Sequence, residues 1–380
     1  MIRYFNPLQP IGSRLHFLVA KSQLRVGVLA SSSLSSARCV ALLFSAMLAA
    51  FVSSNLSLAQ EADKIYPRAG AAAAGKILEV TRNGVKMEIR GVNENYASND
   101  IQRIVYETEP PQLSRAKELI LTEQWDDALD SLKKVDTKTI VREEVKKEFL
   151  FYVGFVQAQL ALQGQGDPQV ADASLIKFVQ ADAQSFHFYA AADALGTLAA
   201  ATGAYDKASQ YFTALAGAPF PEYKMKAQYM LGTANLSLGK IPEARTAYGT
   251  AISASADNAD AKRYQKMARL GVVRCDTADK KAGEAIKNLR TMVSENDATD
   301  SQLFAQIYNA LGEAHRQSGQ DEEALLAYLH TDLLFTSDPN SHAEALYYLA
   351  QLFSKVDPQR AADAKSRLQS QYASSAWAKK

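Results

Sequence analysis

Three stretches of this chain repeat one spacing. Leu195-Gly196 is followed, twelve residues after the glycine, by Ala208-x3-Phe212; Leu231-Gly232 leads at the same distance to Ala244-x3-Tyr248, and Leu311-Gly312 to Ala324-x3-Tyr328. Each half of the pattern sits on a helical period of apolar residues, so each copy reads as two successive helices. The small residues fall where the two backbones cross, and the aromatic ring fills the space against the next pair. Looser copies occur at fourteen residues, Leu270-Gly271 with Ala285-x3-Leu289 and Leu349-Ala350 with Ala364-x3-Leu368. The small positions 196, 232, 271, 312 and 350 are thus 36, 39, 41 and 38 residues apart. Two earlier pairs, Ala116 with Trp125-x2-Ala128-x3-Leu132 and the divergent stretch 149–179, bring the expectation to about seven helical pairs. A pair of this size cannot bury both its faces, so neighbours must stack into a solenoid.

At these residues the chain resembles the tetratricopeptide repeat family, whose unit of about thirty-four residues carries Leu-Gly, a large residue and then Ala-x3-aromatic. The resemblance covers residues 112–370 and departs from the family in its longer spacings and in mostly lacking the final proline. It implies a mainly α fold, an α-solenoid of helix-turn-helix pairs, with Leu195, Gly196, Ala208, Phe212, Leu231, Gly232, Ala244, Tyr248, Gly271, Ala285, Leu311, Gly312, Ala324 and Tyr328 as packing positions. It also implies that the first helix of each pair lines a concave surface, on which Tyr229, Thr233, Asn309, Glu313, Arg316, Gln317, Tyr347 and Gln351 would meet a partner. The Lys/Arg/Asn cluster with which some relatives hold an acidic peptide terminus does not occur at those positions. Fold does not carry partner class, and the partner expected is a protein or peptide without further identity. The layout is also similar to that of exported bacterial repeat proteins.

Ahead of the repeats the period changes from helical to two. Residues 60–75, with Pro67 and flanking glycines, read as a linker. In 76–107 apolar and charged residues alternate on either side of Asn83-Gly84, a hairpin signal in which positive φ is cheap, and a third strand is expected over 100–107. Such a small antiparallel β segment is marginal alone and must pack on something else. The solenoid is expected over 108–380.

Residues 1–59 hold Arg3, Arg14, Lys21, Arg25 and Arg38 and no acidic residue. Arg38 precedes an apolar run over 39–52 and the small-x-small pattern Ser57-Leu58-Ala59, the layout of a secretory signal peptide with a long basic leader. A run of fourteen is shorter than the roughly 18–20 residues of a membrane-spanning helix; an uncleaved N-terminal anchor is the alternative. Cleavage would remove Cys39, leave Cys275 as the sole thiol, and leave 37 basic against 41 acidic residues. That balance gives no overall electrostatic reason to bind nucleic acid, and no membrane insertion is expected after cleavage.

No H-E-x-x-H, C-x-x-C, G-x-S-x-G or P-loop occurs. His187, His315, His330 and His342 have no recurrent ligand spacing around them, so no metal, cofactor or catalytic residue is assigned. Acid runs such as Asp126-Asp127, Glu143-Glu144 and Asp321-Glu322-Glu323 open helices, where they complement the helix dipole. The basic stretch with Lys262, Arg263, Lys266, Arg269 and Arg274 reads as a solvated helix face. The expectation is an exported, non-enzymatic interaction scaffold, periplasmic or extracellular. The alternative is an accessory factor in envelope assembly or carbohydrate processing that positions a partner enzyme. The mature chain is expected to begin at Gln60; N-terminal sequencing of the exported form checks this, and an intact Met1 in that fraction contradicts it.

Overall fold

The computed structural model describes residues 62–255 and 258–380; the expected signal segment lies outside them. Five strands come first, β1 (Asp63–Pro67), β2 (Ala73–Thr81), β3 (Gly84–Ile89), β4 (Val92–Ala97) and β5 (Ile101–Val105). They form one antiparallel sheet of order β4-β3-β2-β1-β5. The stretch expected as a linker therefore carries β1 and the start of β2. Its signal is hidden because β1 has a single fully buried apolar side chain, Ile65, and Ala and Gly dominate the residues between β1 and the middle of β2. The Asp63 carboxylate does the rest, accepting from the backbone N–H of Ile77 (3.2 Å) and Glu107 (2.9 Å) and pairing with Arg142 at 2.6 Å. β4 is a polar edge strand with no apolar alternation to read.

The β2–β3 hairpin turns at Arg82-Asn83, with Thr81 paired to Gly84. Positive φ occurs at neither Asn83 nor Gly84; it occurs at Arg90 (52°) and Gly91 (81°), which turn β3 into β4. Gly84 is needed for a different reason, since a Cβ there would run into the backbone oxygen of Tyr96 on β4.

Fourteen α-helices come next among the described residues, in seven antiparallel pairs. They are α1 (Pro111–Leu121) with α2 (Trp125–Lys133), α3 (Glu143–Leu162) with α4 (Pro168–Ala181), α5 (Phe188–Ala201) with α6 (Tyr205–Ala216), and α7 (Pro221–Ser237) with α8 (Ile241–Ser253). The last three pairs are α9 (Ala259–Ala278) with α10 (Ala282–Glu295), α11 (Ser301–Gln317) with α12 (Asp321–Leu334), and α13 (Pro339–Phe353) with α14 (Pro358–Gln371). Asp167, Asn258, Asp300, Asp338 and Asp357 cap helix starts by accepting from first-turn N–H groups. Gly203, Gly239 and Gly319 end first helices at φ 86°, 73° and 70°, as their positions predict. Glu123 and Lys280 reach the same region without that freedom.

At the crossings of the third, fourth and sixth pairs a ring lies against a missing side chain. A Cβ on Gly196 would stand 2.5 Å from Phe212, one on Gly232 2.5 Å from Tyr248, and one on Gly312 2.6 Å from Tyr328. Tyr248 is gripped from both sides, because Gly271 of the following pair presses on the same ring. The expected packing positions Ala208, Ala244, Ala285 and Ala324 are fully buried, Leu195 and Leu311 nearly so, and Leu231 is half-buried. The divergent second pair uses the same device with an aliphatic partner, Gly154 against Leu175, beside fully buried Ala171.

Adding a methyl group at such a seat forces the ring or the backbone aside, so Gly196→Ala is expected to cost roughly 1–3 kcal/mol. Gly249 in α8 has open space where its Cβ would be, and there the alanine's lower unfolded-state entropy should stabilise by about 0.4–1 kcal/mol. Urea midpoints of the two variants check both, and shifts of the same sign would contradict the packing described.

Candidate functional site

The first helices of the last four pairs line one inner surface, and their polar groups bond across it rather than only to their neighbours. Tyr229 on α7 donates to Gln306 Oε1 on α11 at 3.0 Å, skipping the intervening pair. Arg274 on α9 reaches Glu344 on α13 at 3.0 Å in the same way. Glu344 is also bonded by Asn309 Nδ2 at 3.1 Å, whose amide donates to the Ser341 carbonyl at 2.8 Å as well. The Glu344 carboxylate is the main reason that the Arg274 guanidinium holds its proton above the usual arginine range. Beside this core, Arg316 grips Glu313 through Nε (3.0 Å) and Nη2 (2.9 Å), Gln317 adds a bond to Glu313 at 2.9 Å, and Arg316 lies 5.0 Å over the Tyr348 ring.

The chain returns to this surface after α14. Tyr372 meets His342 Nδ1 at 2.7 Å, and His342 Nε2 meets Asp332 at 2.8 Å, while Arg367 pairs with Asp332 at 2.6 Å. Trp377 packs on Tyr347 and Tyr348 with ring centroids 5.6 and 5.7 Å away, and Lys380 Nζ lies 3.7 Å over the Trp377 ring. The same segment touches a distant pair: the Ala376 N–H donates to the Ala201 carbonyl at 2.8 Å and Lys379 Nζ reaches the Thr202 carbonyl at 3.4 Å. The turn edge of the early pairs thus meets the opposite edge of the late ones. A polar cavity of about 550 Å³ lies along that seam, lined by Glu123 and Gln159 on one side and by Arg263, Asp300, Gln302 and Asp338 on the other.

Paired helices, a ring seated on a glycine in three of the pairs, and first helices gathered on one inner face decide the architecture. The fold is a tetratricopeptide-like solenoid. Its structural neighbours are tetratricopeptide repeat proteins at low sequence identity. A tetratricopeptide repeat protein from Parabacteroides merdae is similar with a TM-score of 0.49 and 14% identity over 68% of this chain and 91% of that one. Cut9–Hcn1 of the APC/C gives 0.43 and 16% over 70% of this chain and 50% of that one, and the P58(IPK) TPR domain 0.25 and 16% over 68% and 72%. No family model and no curated protein matches the chain.

The structure divides the eight residues expected on the tetratricopeptide concave face. Tyr229 and Asn309 are buried and make the cross-surface bonds just described, so packing does use them. Thr233 is half-buried and its hydroxyl meets Tyr248 Oη at 3.2 Å. Glu313, Arg316 and Tyr347 are half-buried, and Gln317 and Gln351 are exposed, on adjacent helices α11 and α13. Four contributors were not anticipated: Arg274, Glu344, Tyr348 and Trp377. Arg274 sits in the basic stretch read as solvated, where Lys262, Lys266 and Arg269 are indeed exposed while Arg263 reaches Asp300 and Gln302. The spacing of Glu344 and Arg274, seventy residues, becomes meaningful only once the solenoid curves. Cys275 is fully buried, and burial pushes its thiol up to about 11, which suits a packing role.

A second polar cluster joins the sheet to the first tetratricopeptide-like pairs. Lys117 on α1, with no exposed side-chain surface, meets Glu109 at 2.7 Å, Glu148 on α3 at 2.9 Å and the β5 carbonyl of Ile104 at 2.7 Å. His187 Nε2 meets the other Glu148 oxygen at 2.9 Å, with its ring stacked 3.8 Å from Phe151. Burial alone would raise the Glu148 carboxyl, but Lys117 and then His187 outweigh it and hold it below the usual carboxylate range. A carboxylate depressed on folding adds stability that is present above its unfolded value of about 4.3 and is lost as pH falls through the folded one. Lys117→Met should therefore cost about 3–5 kcal/mol at pH 7, where Glu109 and Glu148 are left charged and buried. The loss should be smaller near pH 4, where the Glu148 carboxyl, without Lys117, can be neutral. Urea midpoints at the two pH values check this, and equal losses would contradict it.

Proposed function

We propose that this chain is an exported, non-catalytic scaffold that holds a protein or peptide partner in the cell envelope. The observation that carries the reading is the group Glu313, Arg316, Gln317, Tyr347 and Gln351, half-buried to exposed on the adjacent helices α11 and α13, with Tyr347 covered in part by Trp377. These side chains stand on helices fixed by buried crossings, so a partner meets them without having to order them first. Arg and Tyr are the residue types that dominate interface energetics. Export is supported by the acid-free, basic leader, the apolar run and Ser57-Leu58-Ala59. Among the structural neighbours, Cut9 is in complex with Hcn1 and Naa15/Naa10 is bound to HypK-THB, which is the kind of use proposed for this solenoid.

The test is affinity capture from envelope extract with the full chain as bait. Arg316→Ala with Gln351→Ala removes one half-buried and one exposed side chain, and should weaken capture by on the order of 2 kcal/mol or more, while losing the Arg316–Glu313 pair at the exposed rim costs the fold no more than about 1 kcal/mol. Capture equal to that of the parent chain would overturn the reading.

A further inference from the structure

Residues 372–380 form a run of turns that packs on α13 and reaches the end of α5. The segment is fixed at one end by Tyr372 on His342 (2.7 Å) and meets the turn of the third pair at Ala376. Turn glycines of two early pairs lie against this end of the chain, Gly203 beside Ala376 and Gly164 beside Gln371 of α14. A Cβ on Gly203 would stand 3.2 Å from the Ala376 methyl group, and one on Gly164 would run into the Gln371 carbonyl. A main-chain N–H, from Ala376, then pairs with the Ala201 carbonyl, and Lys379 Nζ points at the Thr202 carbonyl beside it. Both carbonyls belong to the C-terminal end of α5, where free carbonyls and the helix dipole favour a cation. Trp377 rests on Tyr347 and Tyr348, rings presented by α13 in the patch described above. One polar group nearby is left over: the Tyr328 hydroxyl, in a fully buried side chain that stacks on Tyr348 at 4.9 Å, has no hydrogen-bond partner among the described residues.

We infer that this surface is a peptide site for a turn-forming segment carrying an aromatic residue with a lysine two positions on, and that residues 372–380 occupy it as a built-in competitor. The inference rests on the scaffold reading and names the chemistry of its partner. Three determinants recur along this surface: an aromatic face on α13, a carbonyl for a backbone N–H, and the negative end of α5 for an ammonium group. Each is met at present by one short stretch of this chain, which Gln369 of α14 also holds through the Ala378 carbonyl at 3.0 Å, and a partner segment of the same pattern would have to displace it.

The probe is a labelled synthetic peptide of residues 372–380, titrated against the full parent chain and the full Trp377→Ala chain. If the attached segment holds the surface nine-tenths of the time or more, the variant should bind the peptide about tenfold more tightly than the parent. A peptide with its tryptophan replaced by alanine should lose that gain. Equal binding by parent and variant, or equal binding of the two peptides, would overturn the inference. Should Trp377→Ala lose its helical circular dichroism, the full Lys379→Ala, Lys380→Ala chain takes its place with the same outcomes, because it removes the ammonium groups at the Thr202 carbonyl and over the Trp377 ring and keeps the contact of that ring with Tyr347 and Tyr348. The titration needs no natural partner. A peptide that binds while envelope capture fails would therefore sink the scaffold reading alone, and capture without peptide binding would sink only this inference.

Discussion

The seat of an aromatic ring on a glycine is the contact on which the rest of the solenoid depends. With Phe212, Tyr248 and Tyr328 lying against Gly196, Gly232 and Gly312, the distance and angle between the helices of a pair are set by the thickness of a ring and not by two side chains in contact. The double grip on Tyr248, by Gly232 within its pair and by Gly271 in the next, extends the same constraint from one pair to its neighbour. Repeating one crossing with one inter-pair step gives a constant rotation, and a constant rotation curves the row. Here the curvature is tight enough that first helices two pairs apart touch, through Tyr229 with Gln306 and Arg274 with Glu344. Polar residues on the inner face are consequently divided between those that satisfy one another and those that remain available.

The sheet is attached by a different kind of force. Burying Lys117 with Glu109 and Glu148 costs several kcal/mol per ion in desolvation, and the ion pairs recover it only because the geometry is close and the remaining donor is satisfied. The Ile104 carbonyl accepts a hydrogen bond from that remaining N–H, so the ammonium bonds to a strand and to two carboxylates at once. Such a cluster is worth little compared with an apolar replacement, yet it fixes which residue meets which. It holds β5, α1 and α3 in one register. Asp63 does the same for the start of β1, with Arg142 from the α3 approach as its partner. Around both clusters the apolar residues of sheet and helices form one continuous core, from Ile65 and Met87 to Phe151 and Leu175.

What the sequence made legible was whatever is periodic and local. The Leu-Gly and Ala-x3-aromatic spacing located the crossings, the turn glycines and the number of pairs, because each depends on residues within one pair. β1 and β4 were not legible: one shows a single buried side chain, and the other is a solvated edge whose residues alternate in nothing. The partner surface was half legible. A helix period shows that Asn309 and Tyr229 face inward, but whether inward means groove or packing depends on curvature, which no single pair encodes. For the same reason Arg274 read as a solvated cation and proved to be the partner of a buried glutamate.

The contact of residues 376–379 with Ala201 and Thr202 changes how such a row of pairs holds together. In an open solenoid each pair touches only its neighbours, stability is a sum of local terms, and either end can fray alone. Here the segment after the seventh pair bonds to the turn of the third, so the end of the row cannot leave without also breaking contacts near its beginning. The polar cavity along the seam shows that this closure is incomplete, since Arg263, Asp300 and Gln302 face Gln159 across open space and not across a packed core. Among the described residues the closure includes one main-chain bond, from Ala376 to Ala201, and one lysine, Lys379, at the Thr202 carbonyl, while Trp377 holds the segment to α13. An element so lightly held is the part of the fold that a competing segment can replace at least cost, while the ring-on-glycine crossings beneath it stay as they are.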